Sequence, residues 1–194
     1  MNLLTNANKY FRIITSLGIF ALSACTPASS QEQIFTSKEG NFSILMPGSV
    51  VEEVNTPVKG ITTRTWTAIK GESAYTVAQS TFAKKIAAEN IPKILQAISE
   101  AAKKSNFVNG KRIAESSVIK NGYKCLDFTL TGVPSPSLQA ESKKKGINVN
   151  NKLIYQRSLL CIKDNQAVEA LVLLQSSEEL KSKGASFIQS LNLK

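Results

Sequence analysis

A single dipeptide, Asn121-Gly122, commits the middle of this chain to an antiparallel hairpin. Asn-Gly accommodates two successive residues at positive φ, the backbone of a type I′ turn, whose twist matches that of paired antiparallel strands. Its flanks, Arg112 to Ile119 and Tyr123 to Thr131, are strand-like. Similar punctuation recurs along the chain. Lys38-Glu39-Gly40-Asn41 separates Phe35 from a run in which Phe42, Ile44 and Met46 alternate with Ser43 and Leu45, ending at Pro47-Gly48. Ile61 to Ile69 and Tyr75 to Phe82 meet across Lys70-Gly71-Glu72-Ser73. Leu153 to Ile162 turns through Lys163-Asp164-Asn165 into Ala167 to Leu174. This last run is apolar apart from Glu169, as suits a central strand covered on both faces.

Two helices are predicted among these strands. Ile91, Ile94, Leu95, Ile98 and Ala102 share one helical face, with Asn90 in position to cap and Pro92 in the first turn. Lys103 and Lys104 complement the dipole at its end. Ser176 and Glu179 have capping-box spacing ahead of a second helix carrying Leu180, Phe187, Ile188 and Leu191 on one side. Gly184 either weakens that helix or lets it approach the sheet closely. Strands interrupted once by a helix and closed by another describe an α+β domain. The expected fold is a mostly antiparallel, twisted sheet flanked by helices, an α/β/α sandwich.

The N-terminus carries a different kind of signal. Met1 to Arg12 is polar, with Lys9 and Arg12 and no acidic residue, and Ile13 to Leu22 is apolar. About ten residues is the length of a signal-peptide core and too short to span a bilayer. Leu22-Ser23-Ala24-Cys25 then resembles the lipobox of bacterial lipoproteins, which implies cleavage before Cys25 and lipidation of its thiol. The expected organisation is a lipoprotein signal peptide at 1–24, a lipidated Cys25 with a flexible tether at 25–33, and a globular domain at 34–194. Such a protein is exported and held by its lipid at the extracytoplasmic face of a membrane, periplasmic or thylakoid-lumenal.

Export makes a disulfide possible between the two remaining cysteines. In an antiparallel pair, Cys125 opposite Cys161 places the midpoint near Lys143, inside the polar stretch joining the two strands. Two buried free thiols are the alternative.

Lysine and arginine number 24 against 14 acidic residues; the leader removes two basic residues, leaving 22 and a mature net charge of +8. An exported, tethered protein rarely meets nucleic acid, so the partners expected are the membrane and a protein, such as a membrane complex. Val133 to Lys152, with Pro134, Pro136 and three asparagines, reads as an exposed connection. Lys143, Lys144 and Lys145 at its tip are candidates for contact with anionic headgroups or an acidic partner. Trp66 and Tyr75 are either a contact patch on one hairpin face or core packing. The chain has no histidine, which excludes Ser-His-Asp and Cys-His catalysis and most zinc sites. The adjacent pairs Glu52-Glu53 and Glu178-Glu179 read as surface charge. No cofactor, metal or catalytic residue is expected.

Three segments carry a family resemblance: Gly40-Asn41-Phe42-Ser43-Ile44-Leu45-Met46-Pro47, the Asn121-Gly122-Tyr123 turn, and Phe187-Ile188-Gln189-Ser190-Leu191. They resemble the PsbP-like group, which shares its fold with Mog1 and DcrB proteins and includes cyanobacterial lipoproteins. The resemblance covers Phe35 to Leu193 and implies a binding or assembly role, photosystem association among those known for the group. Some members bind metal through histidine; this chain has none, so no metal residue carries over. The expected function is a membrane-anchored, non-enzymatic protein-binding or assembly module, with a small-molecule or ion-binding lipoprotein as the alternative. A pocket with apolar walls and a few convergent polar groups favours the alternative; a convex basic body favours the first.

Overall fold

The computed structural model describes residues 32–58, 60–149 and 152–194, and Cys25 with the expected leader lies outside them. Strands β3 (Val51–Val58), β4 (Ile61–Lys70), β5 (Ser73–Phe82), β6 (Phe107–Lys120), β7 (Tyr123–Pro134), β8 (Ile154–Lys163) and β9 (Gln166–Leu174) form one antiparallel sheet. Its order is β3-β4-β5-β9-β8-β7-β6, with β9 in the centre as its apolar sequence requires. Asn121 and Gly122 both have positive φ, and Lys120 pairs with Tyr123 across them, so the hairpin forms as predicted.

The fold is α+β, and the two faces of the large sheet are covered differently. One face carries α1 (Ile91–Asn106) and α2 (Pro136–Lys144). On the other lie β1 (Glu32–Ser37), β2 (Phe42–Pro47) and β10 (Asn192–Leu193), paired as a small sheet, together with the terminal helical segment. That segment opens as α3 (Ser177–Glu179), passes through a π-helical turn at Leu180–Gly184 and ends as α4 (Ala185–Ser190). The sandwich is therefore completed on one side by a helix and a second sheet. Strand β1 begins at Glu32, inside the stretch expected to be tether.

Local chemistry explains most of these elements. Ser176 Oγ accepts from the Glu179 amide at 3.1 Å, the N-terminal half of the predicted capping box. A Cβ on Gly184 would stand 3.1 Å from Leu174 Cδ1, so glycine lets the segment close on the sheet. Asn90, by contrast, has helical φ and ψ and makes no side-chain cap bond; it offers its carbonyl to the Ile94 amide instead. Trp66 and Tyr75 are not a contact patch. Both are buried in the core, Trp66 5.2 Å from the Phe42 ring and Tyr75 5.3 Å from Phe187, both edge-on.

The stretch expected to be an exposed connection contains α2. Ser135 accepts from the Leu138 amide and Pro136 occupies the first turn, so Ser-Pro acts here as a helix start and not as a break. Leu138, Ser142, Ile147 and Val149 turn inward and are buried. Residues 136–149 thus form a lid over the sheet rather than a free tip.

Candidate binding site

The lid encloses a cavity of about 220 Å³ between α2, the end of α1 and the sheet. Its floor is Ala74, Leu171 and Leu173, flanked by Thr67, Thr76 and Gln156; its walls include Leu138, Glu141 and Lys145. Each floor residue points to this side because successive side chains of a strand alternate between faces.

Two polar networks meet at the cavity. In the first, Asn106 donates its amide to Gln156 Oε1 at 2.8 Å, and Gln156 donates to Ser158 Oγ at 3.0 Å. Ser158 in turn hydrogen-bonds Glu169, so a buried chain of side chains runs from the cavity wall to the central strand. Burial pushes the Glu169 carboxyl up to about 7, partly opposed by that Ser158 bond. The sequence signals Glu169 only as an interruption in an apolar run.

The second network is ionic. Lys145 lies 3.7 Å from Glu53 Oε1 on β3, and both side chains are largely buried, 14% and 9% exposed. Burial pulls the Lys145 ammonium below the usual lysine range, against the opposing influence of Glu53 and Glu141. Glu53 Oε2 and Glu141 Oε2 are buried and have no hydrogen-bond partner among the described residues. These positions correct two expectations. Glu53 is not surface charge, because its place on β3 directs it beneath the lid opposite Thr65. Lys143, Lys144 and Lys145 do not share one surface: Lys143 and Lys144 are exposed, Lys144 is 3.4 Å from Glu141, and Lys145 faces inward. Helical geometry turns successive residues by about 100°, so three in a row cannot present one tip.

Cys125 and Cys161 stand directly opposite each other in β7 and β8, α-carbons 4.0 Å apart, and are joined by a disulfide. The register inferred from their common midpoint is the one observed. The bond belongs to the apolar core on the face away from the cavity, with Leu159 and Val168. Among the described residues no group of three or more His, Cys, Asp or Glu side chains assembles that could hold a metal ion. No helix among them is long and apolar enough to cross a membrane.

At the sheet edge, β6 presents a second candidate surface. It pairs with β7 on one side only, and Ile113, Val118 and Ile119 are exposed along it. Register shifts near Asn109 and Ile113 interrupt its first half, while Ala114 to Lys120 pairs regularly.

No family model and no curated protein matches this chain. Solved structures do. The cyanobacterial PsbP protein CyanoP of Synechocystis superposes with a TM-score of 0.51 at 9% identity, covering 89% of this chain and 99% of that one. The Ran-binding protein Mog1p of Saccharomyces cerevisiae gives a TM-score of 0.48 at 8% identity, covering 85% and 96%. At such identities the likeness concerns backbone architecture, and it spans nearly the whole described chain. The likeness to CyanoP shows that the chain has a PsbP-like fold.

Proposed function

We propose that this protein is a lipid-anchored, non-enzymatic binding module at the extracytoplasmic face of a membrane, holding a small ligand in the cavity beneath α2. The observation that carries this reading is the cavity itself: an apolar floor with a few polar groups converging on it from α1, α2, β4, β5 and β8. Its volume falls below the ordinary drug-site range of about 300–1,000 Å³, so the occupant is small. The disulfide fits an oxidising compartment, in keeping with the leader ending at Cys25. Native mass spectrometry of the full-length protein extracted from membranes tests both halves. A lipid-modified mass with a retained small molecule is expected. Cys25→Ser should abolish the lipid, and Ser137→Trp, at an exposed position lining the cavity, should abolish the small molecule. An unmodified N-terminus would remove the anchor from the reading. A protein that never retains a ligand would remove the cavity.

The β6 edge favours a second reading, a protein-assembly module that accepts an extended segment of a partner beside Ala114 to Lys120. Photosystem association would be one case of it. The register places Ser117 in a pair that does not hydrogen-bond to β7, so Ser117→Pro removes an outward-facing backbone donor from that edge strand and should weaken capture of a membrane partner by crosslinking. Undiminished capture would point away from β6.

A further inference from the structure

We propose that the cavity selects a compact organic ammonium ion, an apolar body of a few carbons ending in a positively charged N–H donor. This rests on the reading of the cavity as a ligand site and names the ligand's chemistry.

Most polar side chains at the cavity have a partner. The side-chain amides bond in series, Asn106 to Gln156 and Gln156 to Ser158. The Thr67 and Thr76 hydroxyls face each other at 3.3 Å. Ser105 donates to Asn106 Oδ1 at 3.0 Å, and Ser137 exchanges a hydrogen bond with Ser135 at 2.8 Å. Among the described residues, the buried side-chain oxygens with no partner at all are acceptors: Glu141 Oε2, on a residue lining the cavity, and Glu53 Oε2, beside the lining residue Lys145. Buried carboxylate oxygens without donors cost more than ordinary unpaired polar groups, and a ligand that supplies N–H donors recovers that cost.

The charges around the cavity pair off: Lys145 stands 3.7 Å from Glu53 Oε1, and exposed Lys144 stands 3.4 Å from Glu141 Oε1. Neither pair supplies a hydrogen bond to Glu141 Oε2, the buried carboxylate oxygen on a lining residue. An anionic ligand would meet that oxygen with no donor to offer it. A cationic amine places its head against Glu141 and its carbons on Ala74, Leu171 and Leu173.

The test is calorimetry on the full-length protein in detergent with four four-carbon probes: n-butylammonium, putrescine, n-butanol and butyrate. Binding of either amine at least tenfold tighter than butanol or butyrate is expected. Glu141→Gln should lower amine affinity about tenfold with little change in the melting temperature, because the ion pair it removes, with exposed Lys144 at 3.4 Å, is a surface contact that contributes little. Ser137→Trp should abolish amine binding. If butanol or butyrate binds as well as the amines and Ser137→Trp abolishes that binding, the ligand site stands and the ammonium assignment falls. The assignment also falls if Glu141→Gln leaves amine affinity unchanged. If no probe binds and no ligand is retained from membranes, the ammonium assignment and the cavity reading fall together.

Discussion

The two faces of the large sheet are built from the same strands and serve opposite ends. On β4, Trp66 and Ala68 point to the face covered by β2 and α4, while Thr63, Thr65 and Thr67 point to the face beneath α2. On β8, Leu159 and Cys161 take the first face and Gln156 and Ser158 the second. On β9, Val168, Ala170 and Val172 stand against Glu169. The first face is a sealed apolar core, closed further by the disulfide. The second is buried almost as well but is threaded with hydroxyls, amides and carboxylates. Polar groups taken out of water cost stability unless they are paired, so a sheet needing only to be stable has no use for them. The first face is held by apolar packing and the disulfide, and the second combines an apolar core with the polar groups that line the cavity.

Large-to-small substitutions should expose this difference most strongly. Phe42→Ala, at a fully buried ring packed against Trp66, should lower stability by about 3–5 kcal/mol in denaturant unfolding. Thr63→Val on the other face keeps the volume and loses only the hydroxyl contact with Ser80 at 2.9 Å, a cost of about 1–2 kcal/mol. Equal losses would mean that the two faces contribute alike. The disulfide comes next. Its cysteines are 36 positions apart, and in the chain-entropy model such a loop stabilises by roughly 3–4 kcal/mol. Reduction should lower the unfolding free energy by that amount. Full alkylation without reducing agent, in protein isolated from the cell envelope, would show that the bond is absent.

Glu169 gives the polar face a pH signature that the apolar face lacks. Its carboxyl is raised from 4.5 to about 7 by burial, so the folded protein keeps this proton where the unfolded chain has lost it. Stability from this group is complete below about pH 4.5, declines as pH rises toward 7, and is flat above. A shift of this size corresponds to about 3 kcal/mol. Urea unfolding at pH 5 and pH 8 should show the difference, and Glu169→Gln should flatten it. A slope of opposite sign in the wild type would overturn the assignment.

These contrasts also show what the sequence can carry. Period-two alternation and turn residues announce β2, β4, β5, β7, β8 and β9, because both signals are local. The central place of β9 follows from its apolar run. Strand β3 went unannounced because Val51-Glu52-Glu53-Val54 does not alternate cleanly. Helix α2 was hidden by prolines, which mark breaks and first turns alike, and only its packing decides between them. The cavity was out of reach for a stronger reason. Its walls come from β4, β5, α1, α2, β8 and β9, and no spacing along the chain encodes that convergence.

The smallest effects belong to the lysines at the end of α2, and they divide as the two sides of that helix divide. Lys143 and Lys144 are exposed, so replacing both by Gln should leave the melting temperature unchanged. Each would contribute up to about 1 kcal/mol to contact with an anionic membrane surface, fading as salt screens it. Vesicle co-sedimentation with phosphatidylserine at low and high ionic strength measures this. Lys145→Gln acts differently, because it withdraws the ammonium facing Glu53 and leaves that carboxylate buried without its counter-charge. The cost should be about 1–3 kcal/mol of stability with no change in the salt dependence of vesicle binding. A 3.7 Å contact between largely buried groups holds the lid against β3, so the same substitution should also speed hydrogen exchange in residues 136–149. If Lys145→Gln instead weakens vesicle binding as the outer pair does and leaves the lid protected, the three lysines form one surface after all.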